Sequence, residues 1–355
     1  MLGLDPRAAR YAWTVFCTGL LLLLVYLVRK TIFVFVVALL LAYLLSPLAD
    51  LLDRALPTRR TRVLAMGLAY LIFVGVVVLI GQQIGARVVE QATSLARRFP
   101  DMLASWQNST PNPPTAITSL RQEIVNRART EIAARSGDIL ATLSQAGLKA
   151  ITVAGDLIYV VVIPILSFFF LKDGALIRQH ILDFAGESSQ RVLLDDVLMD
   201  IDHLLANYMR ALVVLSLAAF TAYSVTFSFM GVPYAVLLSA LGGMLEFIPM
   251  LGPVTAGAII LIVSIVSGAP VVAVLIFLLA YRVFQDYILS PQLMEHGIAL
   301  HPLLVLFGVF AGAEIAGIPG TFLSVPILAL SRVVYVRIRK SRVGAQLMPT
   351  ENLVR

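Results

Sequence analysis

Glu246 is the only formally charged side chain between Ala211 and Ala280, and Glu314 is the only one between His301 and Leu330. A carboxyl group in such apolar company is expensive, and that cost points to function. It can exchange a proton, coordinate a monovalent cation, or hydrogen-bond a polar solute. It would equally suit an aqueous boundary or the backbone groups of an interrupted helix. Both carboxyls stand beside helix breakers: Glu246-Phe-Ile-Pro249-Met-Leu-Gly252-Pro253 in the first block, and Glu314 ahead of Gly317-Ile-Pro319-Gly320 in the second. Proline lacks an amide hydrogen and clashes with the carbonyl four residues back, so helix continuity is expected to fail near Leu245. In hydrocarbon the freed backbone groups must be met by protein or by water in a protein-lined cavity. Broken helices of this kind build transport sites. The transport-path candidates are therefore Glu246, Pro249, Gly252, Pro253, Glu314, Pro319 and Gly320.

Other chemistry finds no support. The histidines, His180, His203, His296 and His301, form no metal-ligand pattern, and no phosphate loop, dinucleotide fingerprint, HExxH sequence or nucleophile context occurs. No catalytic, cofactor-binding or metal-binding residue is assigned, no cofactor is called for, and the chain is expected not to be an enzyme. Transport without an ATP-binding cassette in the chain would be downhill, coupled to protons or monovalent cations, or powered by a partner. Cys17 is the only cysteine, which excludes an intrachain disulfide.

Only 14% of the 355 residues are charged, and the mean hydropathy is +0.91. Apolar runs this long exceed the needs of a soluble core, so the fold class is an all-α polytopic membrane protein. The net charge of +6 is explained by Arg and Lys flanking the spans, with no compact basic patch for nucleic acid.

The elements that position the two acidic blocks follow in order. Residues 1–80 read as a three-span region: Tyr11 to Val28, a tight turn at Arg29-Lys30, Thr31 to Ser46 closed by Pro47, then Val63 to Ile80. The basic loop Arg54 to Arg62 marks the cytoplasmic side, which places the N-terminus inside and makes the first two spans a hairpin. Residues 81–149 read as an extracytoplasmic helical insertion with a proline-rich turn after Trp106. Residues 150–340 form the transport core. It begins with a span from Thr152 to Leu171, ending in Phe168-Phe-Phe-Leu-Lys-Asp173 at a membrane boundary. An amphipathic cytoplasmic helix over 187–210 docks on protein, and a span over 211–230 follows. Broken or re-entrant segments lie near 231–268 and 300–331, with Arg282 and Asp286 at i,i+4 spacing between them. Pro233 to Pro249 and Pro302 to Pro319 are similarly spaced, a weak sign of an internal repeat. Arg332 to Arg342 mark a cytoplasmic C-terminus, and 341–355 is a polar tail.

The sequence resembles the bacterial AI-2E family of transporters, the autoinducer-2 exporter or PerM-like permease family. The resemblance is carried by Phe168-Phe-Phe-Leu-Lys-Asp173, Gly231-Val-Pro-Tyr-Ala-Val-Leu-Leu238 and Glu246-Phe-Ile-Pro-Met-Leu-Gly-Pro253. It continues in Leu300-His-Pro-Leu303, Gly317-Ile-Pro-Gly320 and Val325-Pro326. It implies about eight transmembrane helices in the bacterial inner membrane, a variable region after the third, and homo-oligomers among membrane lipids. Exporters of small hydrophilic solutes such as autoinducer-2, or sodium or lithium/proton antiporters, are the activities it suggests. A membrane scaffold without transport is the contrasting reading. The family's commonest Asn-Phe-Ile-Pro pattern has Glu246 in place of its asparagine here.

Overall fold

The computed structural model describes residues 6–55, 62–108, 154–186, 189–293 and 300–346. The described residues contain no strand. The helices are α1 (Pro6–Leu27), α2 (Arg29–Ala55), α3 (Arg62–Ile80), α4 (Ala86–Asn108), α5 (Ala154–Asp183), α6 (Ser189–Phe229), α7 (Ala235–Leu245), α8 (Leu251–Val266), α9 (Val271–Phe284), α10 (Ser290–Leu293) and α11 (Pro302–Gln346). Single π-helical turns, Gly81–Gly85 and Gln285–Leu289, follow α3 and α9. Six helices among the described residues are long and apolar enough to cross a membrane, and three shorter apolar helices accompany them. This is the expected all-α polytopic class, including its interrupted segments. The proline-rich turn after Trp106, the basic loop residues Arg59 and Arg60, and positions 347–355 lie outside the described residues.

Two units are distinguished, Met1–Tyr70 with Ala154–Ile177, and Leu71–Val153 with Arg178–Arg355. In the first, Ala49, Met66 and Ala69 pack with Phe168 and Leu171, and the hydroxyls of Tyr70 and Ser167 are hydrogen-bonded. Three expectations are corrected here. No tight turn occurs at Arg29-Lys30: Val28 N donates to Leu24 O, and Ile32 N to Val28 O, each at 3.0 Å, so helical bonding runs through the junction. Without glycine or proline, two charges alone do not turn a helix, and a hairpin folded at that point is excluded. Pro47 does not close the second span. It sits inside α2, between buried Leu45 and Ala49, and packing holds the helix together despite one missing donor. Nor does Phe168-Phe-Phe-Leu-Lys-Asp173 end its helix, because α5 continues to Asp183. Phe168 packs edge-on against Tyr70, and Phe170 against Phe35.

The second unit is organised along α6. The amphipathic segment and the following span are one uninterrupted helix of 41 residues, roughly 60 Å long, because no glycine or proline occurs between Ser189 and Phe229. Its first turns are held by charge. Arg337 reaches Asp200 at 2.6 and 2.9 Å and Asp196 at 3.1 Å; Arg178 reaches Asp195 at 2.7 Å. Its last turns enter an aromatic core in which Tyr223 lies 5.1 Å from Tyr281 and 5.5 Å from Phe227, between ring centroids.

Candidate functional site

Both interrupted blocks fold back on themselves. α7 has 11 residues and α8 has 16, so the arms measure roughly 16 and 24 Å, short of the ~30 Å hydrocarbon core. The ends of this hairpin share one level beside α4. Tyr234, just before α7, approaches Met102 through its hydroxyl (3.9 Å to Sδ), and Val266, ending α8, packs with Leu103. Gln91 of α4 accepts a hydrogen bond from Leu237 N at 2.9 Å, satisfying a first-turn amide of α7 that its own N-cap residue leaves unmet.

The hairpin tip is residues 246–250. Its backbone groups are met locally: Glu246 N donates to Gly242 O, Phe247 N to Met244 O, Ile248 N to Leu245 O, and Gly252 N to Ile248 O. Met250 holds φ of 64°, a costly conformation for a residue with a side chain. Pro249 lies in the turn itself. Pro253 falls in the first turn of α8, where a missing amide hydrogen costs nothing. Gly252 is required by space, since a Cβ there would collide with the Leu245 carbonyl oxygen.

The second hairpin lies within α11. Ala316 (φ −141°) and Gly317 (φ 63°, ψ −143°) break the helix, and the latter conformation belongs to glycine. The arms run antiparallel. A Cβ on Gly312 would strike the Gly320 carbonyl, and one on Gly320 would strike that of Gly312; one on Gly308 would meet Leu328. Pro319 opens the returning arm, in a turn that needs no donor from it.

α6 serves as a ruler for both hairpins. Ser216 Oγ donates to Gly243 O at 2.7 Å, and a Cβ on Gly242 would lie 2.6 Å from the Tyr223 ring. The first hairpin therefore descends from the end of α6 toward its middle, with small residues allowing the close approach. The second hairpin leaves from the other end, where Arg337 binds Asp200. Its returning arm, Pro319–Arg339, is 21 residues or roughly 30 Å long, which brings its tip to the same middle region. There Phe247 and Phe322 meet with ring centroids 6.0 Å apart. Two hairpins reach from opposite ends and touch near their tips.

At this meeting point Glu246 is buried, 7% exposed, and its Oε2 accepts a 2.7 Å hydrogen bond from Gln285 Nε2. Gln285 is 3% exposed and opens the π turn after α9. Tyr223 of α6 and Tyr281 of α9 lie within electrostatic range of the carboxyl. Arg282 and Asp286 form the expected ion pair at 2.8 Å, both substantially exposed. Glu314 is exposed on the outgoing arm of the second hairpin. Among the described residues no group of His, Cys, Asp or Glu is arranged to hold a metal ion.

The structure thus brings Glu246, Pro249, Gly252 and Pro253 together at one tip, and Pro319 with Gly320 near the other. Gln285, Tyr281, Tyr223 and Gln91 are the partners that sequence reading missed. Gln285 carries a signal in the sequence, an uncharged polar residue between Arg282 and Asp286 at the end of an apolar run.

Two opposed, discontinuous hairpins with a buried carboxyl at their meeting point are transporter architecture. The model of the AI-2E family transporters matches residues 15–340. The chain belongs to the AI-2E transporter family. Its relatives there include YrrI of Bacillus subtilis, provisionally named a transport protein, 27% identical over 89% of each chain. PerM of Escherichia coli, provisionally named a permease, is 24% identical over 84% of each chain. A sodium-lithium/proton antiporter of Halobacillus andaensis is 22% identical over 77% of this chain and 80% of its own. This AI-2E family member is accordingly a multi-pass membrane protein of a transport family.

Proposed function

We propose that this protein is a secondary transporter that exports a small hydrophilic solute, of the class of autoinducer-2, along a path formed where the two hairpin tips meet. The observation that carries the reading is the approach of the tips from opposite ends of α6, with buried Glu246 and Gln285 between apolar arms. Neither first arm spans a bilayer, so each hairpin closes the path from one side only, and movement of either would open it to that side. The favoured setting is a homo-oligomer in the bacterial inner membrane, both termini cytoplasmic and the 81–149 segment outside.

A second reading, sodium or lithium/proton exchange, is favoured by two observations: a buried carboxyl stands where the family pattern has asparagine, and one relative bears an antiporter's name. A scaffold without transport predicts normal assembly and no flux. Purified protein in vesicles, given a panel of small polyols and furanones and then imposed Na⁺, Li⁺ or proton gradients, separates the three. Saturable solute efflux is expected. Cation-driven proton movement without solute flux would favour exchange, and no flux of any kind would leave the scaffold.

A further inference from the structure

Gln285 makes one hydrogen bond at the hairpin tip and leaves another unmade. Its Nε2 donates to Glu246, while its Oε1, equally buried, has no partner, and neither has the hydroxyl of Tyr281. Buried acceptors are almost always satisfied, so an orphan beside a functional carboxyl calls for a reason. A carboxylate only accepts, whereas a carboxylic acid has one O–H to donate. The present orientation, Nε2 toward Glu246, fits the carboxylate. A half-turn of the same amide would present Oε1, which fits the acid. Tyr281 stands one helical turn before Gln285 on the same buried face.

We propose that Glu246 and Gln285 form a proton-exchange site in which the Gln285 amide reverses as Glu246 gains and loses its proton. On loading, a proton from water bonds to a Glu246 oxygen, and the new O–H donates to Gln285 Oε1. On release the O–H bond breaks, the electron pair stays on the carboxylate, the proton returns to water, and Nε2 donates again. A neutral partner is what makes this reversible. A buried arginine would hold the carboxylate ionised, and the nearby Arg282 is engaged by Asp286 at 2.8 Å. Among the described residues, the titratable or charged groups close enough to act on the carboxyl are Tyr223 from α6 and Tyr281, Arg282 and Asp286 from α9 and its π turn. Gln285 continues the buried face of α9 one turn after Tyr281 and opens the π turn, while Asp286 and Tyr287 stay exposed. The proposal rests on the transport path above and supplies its coupling ion.

Infrared difference spectra of the purified protein in lipid nanodiscs, recorded across a pH titration, test this without knowledge of the solute. The wild type is expected to show the carbonyl stretch of a buried carboxylic acid, appearing reversibly as pH falls. Glu246→Gln should abolish that band. Gln285→Met, which removes both amide groups at similar volume, should shift its frequency and its titration midpoint. Glu246→Asp should keep a displaced band, and it carries the test if Glu246→Gln does not fold. A band untouched by Glu246→Gln, or unmoved by Gln285→Met, overturns the proposal. So does a band insensitive to pH but altered by Na⁺ or Li⁺ at fixed pH, which marks a metal-cation site. Vesicle assays separate the two levels: wild-type flux that ignores a proton gradient defeats the coupling, whereas absence of all flux with the band intact defeats the transport reading.

Discussion

Phe247 and Phe322, 75 positions apart, place their ring centroids within 6.0 Å, although their hairpins depart from opposite ends of α6. Each hairpin turns where a proline or glycine makes helix untenable, and each keeps its arms close through glycines that admit no side chain. Those glycines provide the first test. Gly252→Ala should destabilise the protein by about 1–3 kcal/mol or more, because the Leu245 carbonyl has no room to yield. Gly257→Ala, where a methyl group meets open space, should be near neutral. Thermal unfolding in detergent compares them, and equal effects would remove the steric argument.

Gly312→Ala and Gly320→Ala probe the second hairpin in the same way. Each should separate the arms, and either alone should cost about 1–3 kcal/mol. The double variant should cost less than the sum of the two, since both report on one contact. Strict additivity in unfolding measurements would mean the two arms do not meet there.

Gln91 caps α7 from a different helix. Gln91→Leu leaves the Leu237 amide without its acceptor and should cost about 1–3 kcal/mol, whereas Gln91→Glu keeps an acceptor and should retain most of the stability. Hydrogen exchange at the start of α7 reads this locally. Protection unchanged in Gln91→Leu would show that the cap does not matter.

The breaks at Pro249, Gly252 and Gly317 were legible in the sequence, because proline and glycine act through local backbone rules. The path after each break was not: Ile-Pro-Met-Leu-Gly-Pro says that a helix ends, and only packing against α4 and α6 decides that the chain turns back. The continuous α6 reads as two elements in the sequence for a related reason. Asp195 to Asp202 look like a surface helix followed by a boundary, but Arg178 and Arg337, distant in sequence, absorb those charges. Glu246 was legible as an outlier in composition. Its pairing with Gln285, 39 positions away, was not, because only the tertiary fold brings the end of α9 to the hairpin tip.

The Arg337–Asp200 contact fixes the base of the second hairpin to the start of α6, and its side chains are only partly exposed. Arg337→Asp should loosen it, and adding Asp200→Arg should restore part of the loss, with a coupling of about 1 kcal/mol that shrinks at high salt. A double-mutant cycle on thermal stability gives this number. Zero coupling at low salt would show that the pair does not hold the helices together.

Sidedness of the hairpin bases decides the account. With Cys17 replaced by alanine, single cysteines at Ser267 and at His301 mark the bases of the first and second hairpins, to be labelled in sealed vesicles with a membrane-impermeant thiol reagent. Opposed hairpins predict labelling of the two positions from opposite sides of the membrane; labelling of both from the same side would contradict a path closed by hairpins reaching in from each face.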